Sequence, residues 1–180
     1  MRPTLPNERY AVLKLALVSD QIMVFPIKII SGGQTGADVA ALDWAIEHCI
    51  PHGGWCPKGR KCEIGTIPGK YLLNETDTED YAERTERNVV DSDGTVILTV
   101  RNVLEGGSRQ TLEFAIKHNK PVLHLHAAVP HPGKTLAAFI RKHQIRILNV
   151  AGPRESNEPT VGAFVRQTLD EAYAELAQPW

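Results

Sequence analysis

The chain has 180 residues, 42% of them hydrophobic, with 20 basic side chains against 21 acidic ones. That length falls in the range of roughly 100–200 residues expected of one globular domain, large enough to bury a core unaided. The apolar content excludes intrinsic disorder, and a net charge of -1 argues against a chain built as a whole to hold nucleic acid or an anionic membrane.

Residues 1–22 read as an N-terminal extension and residues 23–180 as a single ligand-binding domain. The apolar stretch 11–25 is interrupted by Lys14 and Asp20. It falls short of the ~20 residues a membrane span needs, and no small-residue cleavage site follows it. An extra strand or helix, or a start codon placed ahead of Met23, fits better, and the protein reads as cytoplasmic. From Ile27 onward, short β-rich runs at 27–30, 52–55, 95–100, 121–125 and 145–150 alternate with helix patterns near 36–48, 79–91, 108–118, 133–143 and 160–177. The run TVILTV is apolar and β-branched, as expected of a strand buried on both faces. Such alternation predicts an α/β fold with a mostly parallel sheet covered on both faces. The stretch 56–78, rich in Gly and Pro, is the irregular one, and a loop of more than ~15 residues in a compact domain is usually functional.

The first chemical signal is the turn Ser31-Gly32-Gly33-Gln34-Thr35-Gly36-Ala37-Asp38, between a strand and a helix. Such a turn aims backbone N–H groups and the positive end of a helix dipole at one point, which suits an anion, usually phosphate. No Lys-Ser/Thr pair follows Gly36, which argues against a Walker A loop. An NAD site would place an acid about 20 residues beyond the turn; here the sequence reads WCPKGRK. That disfavours ordinary NAD and favours a second anionic group near Lys58 and Arg60. A second turn carries Gly106, Gly107, Ser108 and Thr111, with Ser108 placed to cap the helix that follows. A third, at 151–157, supplies Arg154. In a parallel sheet all three emerge at the edge where ligands bind. Arg84 and Asn88, four apart, share one helix face. An arginine turned toward the glycine turns would be a bidentate phosphate partner, and an intrahelical pair with Asp80 is the alternative.

Cys49, Cys56 and Cys62 show no zinc or disulfide spacing, so reduced thiols are the simpler reading, with Cys56 the candidate for redox chemistry. Catalytic constellations are weak. His124 and His126 alternate on one strand and read as core or interface residues, and Asp91 and Asp93 read as helix-end and turn residues. Asp38 and Glu113 are the carboxylates placed near glycine turns.

Taken together, IISGGQTGAD at 29–38, ALDWAIEH at 41–48, PHGGWCPKGRK at 51–61, RTERNV at 84–89, SDGTVIL at 92–98, GGS at 106–108, KPVLHL at 120–125 and LNVAGPRES at 148–156 resemble the molybdenum cofactor carrier proteins. That family is a circularly permuted branch of the YpsA-like, LOG-like Rossmann-type superfamily. The resemblance runs from Ile27 to the C-terminus and implies a Rossmann-like three-layer sandwich that self-associates as a homo-oligomer. It also implies a phosphate-bearing ligand at the C-terminal edge of the sheet. Molybdenum cofactor (molybdopterin), as a carried ligand, would place its phosphate at Gly32, Gly33, Gln34, Thr35 and Gly36, beside Asp38. Further negative charge would go to Lys58, Arg60 or Arg154, and molybdenum enzymes would be the recipients. The LOG-type relatives cleave nucleotides and carry a PGGxGTxxE string, which Gly106, Gly107, Thr111 and Glu113 echo with altered spacing and with Glu105 in place of the proline. The expectation is therefore a binding or carrier protein. The alternatives are a phosphoribohydrolase-like enzyme cleaving a nucleotide N-glycosidic bond, and a sensor of a nucleotide-derived ligand.

Overall fold

The computed structural model of the chain describes Pro26 and residues 28–178; the expected extension at 1–22 lies outside the described residues. In chain order the elements are β1 (Lys28–Ile30), α1 (Ala37–Glu47), β2 (His52–Gly53), β3 (Trp55–Cys56), β4 (Lys61–Cys62), β5 (Gly65–Thr66), β6 (Asn74–Glu75) and α2 (Tyr81–Val90). There follow β7 (Gly94–Thr99), α3 (Gly106–Lys117), β8 (Val122–His126), α4 (Pro132–His143), β9 (Ile147–Ala151) and α5 (Val161–Leu176). Among the described residues five strands form one sheet in the order β2-β1-β9-β7-β8, and every neighbouring pair is parallel. Helices on both faces make the three layers of a Rossmann-like fold.

The reasons are local. Every residue of β7 is buried, which only a strand covered on both faces tolerates. The small residues Ala37, Ala40, Ala41 and Ala45 let α1 approach the sheet closely. They join Leu136, Ala137 and Ile140 of α4 and Val165, Leu169 and Ala172 of α5 in the main core. On the opposite face α2 packs against α3. Asp80 caps α2 by accepting from the Ala82 N–H at 2.9 Å. Asp93 accepts from the N–H groups of Arg146 and Ile147, at 2.9 and 2.7 Å, pinning the start of β9 beside β7.

Two expectations change in detail. The run 52–55 is two strands rather than one, because Gly54 takes φ +125° and turns the chain out of the main sheet. The stretch 56–78 is ordered by a second, smaller core of Leu42, Cys56, Ile67, Tyr71 and Leu73, by the parallel pair β3–β6 and by the hairpin β4–β5. Cys56 is fully buried and burial pushes its thiol up, which suits packing and not thiolate chemistry. No helix among the described residues is long and apolar enough to cross a membrane.

Candidate functional site

The turns after β1, β7 and β9 open at the C-terminal edge of the sheet. With the start of α2 they enclose a cleft of about 190 Å³. The crossover from β1 leads outward to β2 and that from β7 leads the opposite way, to β8. The cleft thus lies where the strand order reverses, the position ligands take in open α/β sheets.

Its floor is an ion pair. Asp38, in the first turn of α1, is 3% exposed. Its Oδ2 accepts from the Gln34 backbone N–H at 3.2 Å and from Arg84 Nη1 at 3.1 Å. Burial pushes the Asp38 carboxyl up, and the Arg84 charge opposes that rise. Arg84 therefore does not pair with Asp80 along its own helix. Gly32 makes room for it, since a Cβ there would stand 1.7 Å from Arg84 Nη1. Arg84 Nε and Gln34 Nε2 are both buried with no partner among the described residues, although native folds rarely leave buried donors unpaired.

Around this floor stand groups that suit an anion or an acceptor-rich ligand. The N-terminus of α3 has no side-chain cap and no acid in its first turn. Gly107, Ser108 and Thr111 from that turn line the cleft, and an added Cβ at Gly106 or Gly107 would meet nothing within 4 Å. Ser108 is not the cap; it lies inside the helix, with its N–H donating to the Glu105 carbonyl at 3.1 Å. Arg154 lies 5.1 Å and Arg84 5.9 Å from the centre of the Tyr81 ring. Arg154 makes no carboxylate ion pair among the described residues. Arg101, by contrast, is bound to the buried Glu158, whose carboxylate accepts from Arg101 Nε at 3.1 Å and from the Val100 N–H.

Other expected residues are placed elsewhere. Gly33, Thr35 and Gly36 line a separate, mostly apolar depression beside Cys62 and Tyr71. A Cβ at Gly33 would stand 2.6 Å from Leu73 Cδ1, and the Ala37 N–H that Gly36 precedes already donates to the Pro153 carbonyl at 3.2 Å. Lys58 and Arg60 do not line the cleft. The Arg60 guanidinium is committed to the carbonyls of Ile67, Pro68, Tyr71 and Leu73, at 3.0–3.2 Å. Asn88 braces β3, accepting from the Trp55 N–H at 2.8 Å and donating to the Trp55 carbonyl at 3.0 Å. Glu113 is exposed and paired with Arg109. His124 Nε2 lies 2.8 Å from Thr99 Oγ1, and burial followed by the neighbouring His126 holds its pKa below the usual histidine value. Sequence reasoning missed Tyr81, Arg101 and Glu158. Tyr81 had one signal, its position three residues ahead of Arg84 on the same helix face.

Residues 29–173 match the model of the circularly permutated YpsA SLOG family. A solved structure from Syntrophus aciditrophicus SB, named "Putative molybdenum carrier protein", is 46% identical in sequence with a TM-score of 0.79. The match covers 81% of this chain and 94% of that one. No curated protein matches the chain.

Proposed function

Because the chain belongs to the circularly permutated YpsA SLOG family, we propose that its cleft binds and carries a small phosphate-bearing ligand, with molybdenum cofactor or a related pterin phosphate as the cargo. The observation that carries this reading is the pair of buried donors with no partner among the described residues, Gln34 Nε2 and Arg84 Nε, on two residues that line the cleft. Leaving such donors unpaired costs about 1–3 kcal/mol each, which an acceptor-rich ligand would offset. The uncapped α3 N-terminus and Arg154, which makes no carboxylate ion pair among the described residues, suit the phosphate. The name of the Syntrophus protein supports molybdenum-related cargo, and the free thiols Cys49, Cys56 and Cys62 suit a cytoplasmic setting. Molybdenum enzymes would be the recipients, and a homo-oligomer is the expected assembly.

Native mass spectrometry of protein purified from a molybdenum-replete host is the direct test, paired with calorimetric titration of AMP and inorganic phosphate. A co-purifying ligand mass and measurable binding are expected. Protein that emerges empty and binds neither probe overturns the reading.

A second reading, cleavage of a nucleotide N-glycosidic bond, has one observation in its favour. Asp38 is a buried carboxyl with a raised pKa in a ligand cleft, the kind of group that serves acid–base chemistry. Steady release of adenine from AMP, lost in Asp38→Asn, would establish it.

A further inference from the structure

The orientation of Gln34 in the cleft is set from outside the cleft. Gln34 Oε1 accepts from the backbone N–H of Thr35 at 3.1 Å and from that of Glu63 at 2.9 Å. An amide carbonyl oxygen has two lone pairs, so both are filled. Turning the amide over would leave two backbone donors facing an NH₂ group. The unpartnered Nε2 is thereby held as a donor.

Glu63 sits in the turn of the hairpin β4–β5, which pairs at only two positions, Lys61 with Thr66 and Cys62 with Gly65. Beside it Ile64 is 81% exposed, so apolar packing does not hold the tip. The Glu63 carboxylate holds it instead. That group accepts from Thr35 Oγ1, from Ser156 Oγ and from the Ser156 N–H at 3.4 Å. Thr35 Oγ1 in turn accepts from the Glu155 N–H at 3.3 Å. One side chain therefore ties together the hairpin, the turn after β1 and the turn after β9. The hydrogen bonds from Ser156 and Thr35 hold the Glu63 carboxyl below the usual glutamate range, so it is charged at neutral pH.

We propose that Glu63 is a positioning residue for the ligand cleft: its carboxylate pins the hairpin to the two turns, and its backbone N–H then locks the Gln34 amide with Nε2 presented to an acceptor oxygen of the ligand. The acceptor is a phosphate oxygen or a ring carbonyl. The ligand half of the proposal rests on the binding reading given above; the locking half concerns the empty protein alone.

The first measurement is ¹⁵N relaxation of the Gln34 side-chain amide in ligand-free protein. The wild type and Glu63→Gln, whose amide can accept from one hydroxyl and donate to the other, should show an order parameter close to that of rigid backbone, about 0.85. In Glu63→Ala it should drop below about 0.6 with little change in melting temperature. Ser156→Ala, which removes a single hydroxyl, should fall between, and it decides the matter where Glu63→Ala does not fold. Calorimetric titration with AMP follows. Glu63→Ala should weaken binding about tenfold, Glu63→Gln far less, and Glu63→Ala should add nothing in a Gln34→Ala background, as expected for one coupled unit. A Gln34 amide as rigid in Glu63→Ala and Ser156→Ala as in the wild type overturns the proposal, as does unchanged AMP affinity in Glu63→Ala. A wild type that binds neither AMP nor inorganic phosphate sinks the ligand reading, while the amide relaxation still decides the lock.

Discussion

Removing the Arg84 side chain would leave the Asp38 carboxylate buried without its counter-charge. Breaking such a pair from one side costs about 3–5 kcal/mol, and Arg84→Ala should fall near the lower figure because Arg84 is partly exposed. The sign with pH follows from the carboxyl. Without Arg84, burial is opposed only by the hydrogen bonds from the Gln34 N–H and Ser31, and the native pKa of Asp38 climbs further above the unfolded value. The native state then binds the proton more readily than the unfolded one, so stability falls as pH rises through that window. Urea denaturation of Arg84→Ala should show a larger deficit at pH 8 than at pH 5, and its affinity for AMP should fall as well. An equal deficit at the two pH values would mean that Asp38 does not feel the loss. Gly32→Ala should mimic Arg84→Ala, since a Cβ there takes the guanidinium's place. In an Arg84→Ala background it should cost less, the Asp38 Oδ2 at 2.8 Å from that Cβ still having to give, a non-additivity expected of groups in contact. At this scale the sequence showed residue types but not what stands opposite each one. The nearness of Arg84 to the turn after β1 was legible, because an arginine in an acidic segment is unusual, whereas the apolar neighbours of Gly33 were not. Lys58 and Arg60 look like ligand cations in the sequence, since nothing local reveals that Arg60 folds back on the carbonyls of its own loop.

Among the elements, the loop 56–78 depends on that clasp. Four carbonyls converge on one guanidinium, and hydrogen bonds to a charged group are worth about 1.5–3 kcal/mol. Arg60→Ala should destabilise the protein by about 2–3 kcal/mol, less than a sum of the four because water replaces part of what is lost. Limited proteolysis should then cut within 61–73 in the variant faster than in the wild type; a variant as resistant there as the wild type would show that the small apolar core suffices. The helices and β7 were legible because their periods are long and their apolar faces plain. The break at Gly54 and the pairing of β3 with β6 were not. A strand of two residues has no period to read, and its partner lies across an irregular loop.

Over the whole molecule, the carboxylates Glu47, Glu63, Glu83 and Glu86 are all held below their usual range, each chiefly by a hydrogen bond, from Arg166, Ser156, Thr78 and Lys117 respectively. A depressed native pKa stabilises above the unfolded value and is lost as pH falls through the native one. Melting temperature should therefore hold near neutrality and drop below about pH 4.3; a flat profile there would show that these contacts loosen in solution. A carrier needs shape and donors but no turnover, so AMP should raise the melting temperature by mass action without releasing adenine. The order of strands sets one more property, the sequence of events in synthesis. β9 lies between β1 and β7 yet leaves the ribosome after both, so the pairs β1–β2 and β7–β8 have no shared neighbour until residues 147–151 emerge. A nascent chain stalled before β9 holds two ribbons whose inner edges are unpaired and open to mispairing. Folding to the native sheet is thus deferred until β9 emerges, and the chain waiting for it is the species most exposed to aggregation.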